Sequence, residues 1–144
     1  MALCTKSDIV VRYAETDKMG VVYYANYLVW MEVGRTDYLA EVGYPYSLLE
    51  KDGVLFPACN INLRIFHPSH YEEKLVVLTR LIRLRSRKVV FEYEIMRDSK
   101  LLVSGTTEHI CVDSQMRVRT VPQKLFEVLS ASMDQGRAGG IAED

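Results

Sequence analysis

Cysteine is scarce and poorly placed for structure: Cys4, Cys59 and Cys111 are an odd, widely separated set without a C-x-x-C spacing. That argues against a disulfide framework and a zinc knuckle, and fits a reducing cytoplasm. Long hydrophobic runs are missing as well. No stretch approaches the roughly 20 apolar residues that span a bilayer, and no charged start leads into an apolar segment as in a signal peptide. A soluble, cytoplasmic protein is therefore expected. Neither charge sign is in excess, since 18 basic and 19 acidic residues leave a formal net charge of -1, so nucleic acid is not an expected partner. Any anion site must be local. There is no glycine-rich phosphate loop and no G-x-S-x-G, so an α/β-hydrolase mechanism is unsupported.

What is present suffices for a core. At 144 residues, 49% of them apolar, the chain favours one domain that buries roughly two thirds of its unfolded surface. We place that domain at 1–134 and expect the glycine-containing stretch 135–144 to be a disordered tail. Residues 7–14, SDIVVRYA, read as a strand. From about 24 to 42 no proline occurs, and apolar residues fall on most sides of a helical wheel, which predicts one long helix buried all round. Gly43 and Pro45 signal its end. Cys59, Ile61, Leu63 and Ile65 alternate with Asn60, Asn62 and Arg64, predicting a strand with one buried face that ends at His67-Pro68. Residues 72–87 have helical propensity, but Val76, Leu78, Ile82 and Leu84 also fit alternation, and we read a long strand. Val89, Phe91, Tyr93 and Ile95 mark the next strand, Asp98-Ser99 a turn, and 101–112 the last strand. Pro122 opens a short terminal helix carrying Leu125, Phe126 and Leu129. The result is an α+β fold, a five-stranded antiparallel sheet around one long central helix. One sheet face cannot enclose that helix, so a second copy of the chain is expected to pair with it, giving a homodimer or a homotetramer of two such dimers.

In this order Asp17 lies in the turn between the first strand and the amino end of the helix, where free N–H groups and a partial positive charge can hold an anion. Two readings stand: an acid beside an oxyanion site, suited to hydrolysis, or an ordinary turn residue helped by Thr16 and Gly20.

The run YAETDKMGVVYYANYLVWMEVGRTDYL resembles the 4-hydroxybenzoyl-CoA thioesterase-like branch of the hot-dog fold family, which includes the tol-pal-associated acyl-CoA thioesterases. The match is carried by Thr16-Asp17, Gly20, Val21-Val22, Tyr23, Ala25-Asn26-Tyr27, Glu32 and Arg35-Thr36. The resemblance implies that Asp17 attacks the thioester carbonyl or activates water, and that the backbone N–H of Tyr24 or its neighbour polarises the carbonyl oxygen. Many acyl-CoA members carry histidine where this chain has Tyr24, so its tyrosine is more like the hydroxybenzoyl type. Gly20, Val21, Val22, Tyr23 and Asn26 are expected to bind substrate, with Cys59 and Asn60 reaching the same pocket from a second chain. A hot-dog hydratase would place histidine at Val22 and is disfavoured. A non-catalytic acyl-CoA or protein binding module remains the alternative, and no cofactor is implied beyond the coenzyme A of the substrate.

Other candidates follow from residue type. Arg83, Arg85 and Arg87 with Lys88 either hold the coenzyme A phosphates or form a solvated hairpin end; Arg117 and Arg119 are weaker candidates for the same task. Glu32 is read as the ion-pair partner of Arg35, three residues on, before it is read as catalytic. His67 and His70 read as a surface turn, with no metal expected. Tyr13, Tyr23, Tyr27 and Trp30 read as core or pocket wall.

Overall fold

The computed structural model describes residues 2–133 and 141–142. Helix α1, Ala25–Glu41, follows Tyr24, whose backbone is already helical, and ends at Val42. Its stop is the one the glycine signals: Gly43 has φ +84°, its N–H bonds the Ala40 carbonyl at 3.0 Å and that of Tyr44 bonds Leu39 at 2.9 Å, the two bonds of a Schellman end. Tyr27, Trp30, Met31, Tyr38 and Leu39 are buried, whereas Val29 and Val33 stay exposed. Burial all round is thus corrected. One face of α1 meets the sheet, and its other apolar flank, with Val29 and Val33, has no cover among the described residues.

The sheet runs β1-β4-β5-β6-β3, formed by β1 (Thr5–Val10), β3 (Ala58–Ile65), β4 (Lys74–Arg85), β5 (Lys88–Arg97) and β6 (Lys100–Ile110), all neighbours antiparallel. Of the stretch expected to be a tail, only 141–142 is described, joined in parallel to Leu84 and Arg85 of β4; the rest lies outside the described residues. The first strand is shorter and earlier than 7–14, because the Arg12 N–H bonds the Glu15 carboxylate at 2.8 Å and turns Tyr13–Glu15 into a 3-10 coil. The sequence reading also lacked α2 (Tyr46–Lys51), and β2 (Val54–Leu55) paired with β7 (Val112–Asp113). Helix α3, Gln123–Ser132, starts after Pro122 as expected and buries Leu125 and Leu129.

Two strands depart from their expected patterns. In β4 the inward residues are Leu75, Val77, Thr79 and Leu81, then Leu84. A bulge at Ile82, between the pairs Leu81–Phe91 and Arg83–Val90, resets the alternation. The face expected from Val76 and Leu78 is therefore the outer one. In β3 all residues but Leu63 are exposed, because this strand is an edge, bonded among the described residues only to β6. In β5 the buried set Val89, Phe91, Tyr93 and Ile95 is as expected.

The helix sits close on the sheet because Gly34 has no side chain: a Cβ there would run into Thr79 Oγ1. That hydroxyl is buried without a hydrogen-bond partner among the described residues.

Candidate active site

Between the 3-10 coil and α1 the chain makes a tight loop closed at its base by an antiparallel bridge from Thr16 to Val22. The Asp17 N–H donates to Val21 O and the Gly20 N–H to Asp17 O, each at 2.9 Å, with Gly20 at φ +82°, a turn that suits glycine. The Met19 N–H donates to Asp17 Oδ1 at 2.8 Å, which fixes the carboxylate and leaves Oδ2 without a partner among the described residues.

The loop hangs from Glu15, an acid the sequence reading passed over. Its buried carboxylate accepts the Trp30 indole N–H at 2.8 Å besides the Arg12 backbone N–H, and Arg12 Nη2 lies at 3.3 Å. Burial alone would raise its pKa, but the hydrogen bonds from Arg12 and Trp30 outweigh it and hold the carboxyl below the usual glutamate value. Its backbone carbonyl accepts the Tyr23 N–H and the Asn26 side-chain amide, each at 2.9 Å. Asn26 therefore ties loop to helix rather than pointing into a pocket. Val22 is likewise fastened, its N–H bonding Ser69 O at 2.9 Å, while the Ser69 hydroxyl meets that of Tyr27 at 2.8 Å.

Asp17, Met19, Val21, Val22, Tyr24 and Tyr27 line one wall of an open cleft of about 370 Å³, and residues 65–68 of the β3 exit line the other. The Asn26 and Tyr27 N–H groups bond back to Tyr23 and Tyr24 carbonyls. Among the described residues no backbone carbonyl accepts the Tyr24 N–H, so a free donor stands at the head of α1, where the helix dipole is positive. Tyr23 is exposed, its ring 4.8 Å from that of Tyr24. Hydrogen bonding to Tyr24, and to a lesser degree the Asp17 charge, push its phenol pKa up. His67, read as a surface turn, also faces this cleft. His70 instead lies 3.6 Å from Glu73, and among the described residues no cluster could hold a metal ion.

Other candidates lie elsewhere. Cys59 and Asn60 are exposed on β3, with a register irregularity at Cys59 and its thiol 3.5 Å from the Glu108 carbonyl; they do not reach the Asp17 cleft of their own chain. Arg83, Arg85, Arg87 and Lys88 share a shallow depression of about 450 Å³ with Glu108, Ile110 and Val118, and Lys88 Nζ is 3.7 Å from Glu108. Arg117 is taken by Asp113 at 3.0 Å and Arg119 donates to the Thr120 carbonyl. The expected Glu32–Arg35 pair is not formed: Glu32 is exposed, and Arg35 turns inward to donate to the Tyr93 hydroxyl at 3.0 Å.

A family model described as the thioesterase-like superfamily matches residues 11–132. The putative acyl-CoA thioesterase YneP of Bacillus subtilis is 48% identical over 112 residues, 77% of this chain and 81% of that protein. The acyl-CoA thioesterase YbgC of Haemophilus influenzae is 31% identical over 104 residues, 72% of this chain and 76% of that protein. Among solved structures, the DHNA-CoA thioesterase from Staphylococcus aureus is similar with a TM-score of 0.88 at 32% identity, over 97% of each chain.

Proposed function

This chain belongs to the thioesterase-like superfamily, has the hot-dog fold and is an acyl-CoA thioesterase; from that premise we propose that Asp17 is the carboxylate that opens the thioester. The observation that carries the reading is the cleft that Asp17 and Tyr24 both line, with the Asp17 carboxylate anchored by the Met19 N–H and no backbone carbonyl accepting the Tyr24 N–H among the described residues. Asp17 then either attacks the carbonyl, giving an anhydride that water cleaves, or takes a proton from the attacking water. In both routes the carbonyl oxygen gains negative charge, and the Tyr24 N–H with the helix dipole stabilises it. The C–S bond breaks, coenzyme A leaves as the thiol, and the acyl group becomes the free acid. Coenzyme A enters as part of the substrate, no cofactor takes part, and the enzyme works in the cytoplasm.

The cationic depression of Arg83, Arg85, Arg87 and Lys88 suits the nucleotide phosphates of coenzyme A. A second copy of the chain completes the pocket, bringing Cys59 and Asn60 to the Asp17 cleft. Support for that pairing comes from the exposed Ile61 and Ile65 on edge strand β3 and from Val29 and Val33 on α1, apolar surface that a partner would cover. Thiol release from a panel of aliphatic and aromatic acyl-CoAs, run beside sedimentation at micromolar concentration, tests the reading. A folded protein that binds acyl-CoA but frees no thiol would make it a binding module, and an active monomer would remove the shared pocket.

A further inference from the structure

A second cavity shares no lining residue with the Asp17 cleft. It lies between α1, α3 and the sheet, with apolar walls that include Phe56, Phe91 and Leu125 and with polar side chains from Arg35, Tyr46 and His109. It has about 20 Å³ for the centre of a water-sized sphere, room for one particle of that order.

The polar corner can be resolved donor by donor. His109 Nδ1 lies 2.9 Å from the Phe56 carbonyl, which can only accept, so Nδ1 carries the proton. Burial, aided by the Arg35 charge, lowers the His109 pKa to about 4; the ring is neutral and Nε2 is an acceptor. The Thr107 hydroxyl, 2.8 Å away, must therefore donate to it. Thr107 in turn accepts from the Tyr93 hydroxyl at 2.5 Å, and the Tyr93 oxygen accepts from Arg35 Nη1. Every proton in this chain is assigned, and the chain supplies no negative charge.

Arg35 is thus a largely enclosed cation whose neighbours are phenols. Burial works against its charge, yet Tyr93 and Tyr46 more than offset that and keep it protonated. No carboxylate forms an ion pair with it among the described residues. One N–H is engaged by Tyr93, the guanidinium also hydrogen-bonds the Tyr46 side chain, and both Arg35 and Tyr46 border the cavity. A cation held away from water calls for an anion.

We propose that this cavity binds one small, weakly hydrated monovalent anion, held by the Arg35 guanidinium and the Tyr46 hydroxyl. One unit of positive charge sets the valence, and the volume sets the size. The apolar walls set the preference within the halides, because they cannot replace the shell of a strongly hydrated ion.

Bromide is the probe. Thermal unfolding is followed in sodium bromide and in sodium fluoride, exchanged at constant ionic strength. Weakly hydrated anions usually lower stability without any site, so a specific site shows as the reverse: a melting temperature that rises with bromide and saturates. Arg35→Gln, which keeps a donor for Tyr93 but removes the charge, should abolish the rise. Tyr46→Phe, at a partly exposed position, should shift half-saturation by about tenfold, the effect of one lost hydrogen bond to a charge. A flat or falling curve in the wild type overturns the proposal, as does a rise that survives Arg35→Gln. Should Arg35→Gln fail to fold, an unchanged half-saturation in Tyr46→Phe overturns it. Thiol release is no part of this test, so its outcome is independent of the thioesterase reading.

Discussion

The indole N–H of Trp30 and the carboxylate of Glu15 meet at 2.8 Å in the interior, so α1 holds the loop in front of it through a buried charge. Glu15→Gln keeps the shape but weakens the charge-assisted bonds, and should cost about 1–3 kcal/mol. The pH signature is separable. Since the folded carboxyl titrates below the usual value of 4.5, its contribution is complete above that value and fades as pH falls through the lower, folded one. Acid unfolding followed by circular dichroism should show this loss in the wild type and a flatter profile below pH 4.5 in Glu15→Gln; parallel profiles would remove Glu15 as the cause.

His109 acts in a neighbouring pH window. Its folded value of about 4 lies under the ordinary 6.5, so the unfolded chain takes up a proton first as pH falls. Stability due to the neutral ring is complete above pH 6.5 and is lost between 6.5 and 4, by on the order of 3 kcal/mol at most. His109→Gln should lack this slope in melting temperature against pH.

Asp17→Asn should fold normally, because an amide oxygen can still accept the Met19 N–H, and should lose at least about a hundredfold in kcat. Rates near wild type would transfer attention to His67, which borders the same cleft.

Arg83→Ala combined with Arg85→Ala should raise KM for an acyl-CoA and leave kcat within a few-fold, since binding common to ground and transition state acts on KM. A pantetheine thioester without the nucleotide should be nearly indifferent. Equal penalties on both substrates would assign the two arginines to folding or assembly.

Thr79→Val replaces an unpartnered buried hydroxyl with a methyl group of similar shape and should stabilise by about 1 kcal/mol. Gly34→Ala should destabilise strongly, as its Cβ meets Thr79 Oγ1, and adding Thr79→Ala should recover part of the loss. Additive effects in denaturant titrations would disprove the contact.

Where structure follows from neighbours in the chain, it was legible. The end of α1 at Gly43 and the inward face of β5 needed only local pattern. The phase of β4 did not, because the bulge at Ile82 exists only against β5. The exposure of β3 depends on its place at the sheet edge, which alternation does not encode, and strands of two residues such as β2 and β7 carry no period at all. At the site, Asp17 stood out through resemblance. Glu15 had no such mark, its partner Trp30 lying a full helix turn and a loop further on, although a third-position glutamate ahead of a helix was the available clue.

The bridge from Thr16 to Val22 separates frame from filling. Everything that anchors the segment attaches at or outside that closure, through Glu15, Val22 and Asn26, while Lys18 and Met19 project from its tip with Met19 80% exposed. The tip is thus an exchangeable cassette. Randomising those two positions offers a library in which substrate range can be altered while the scaffold and the acid at its base stay in place.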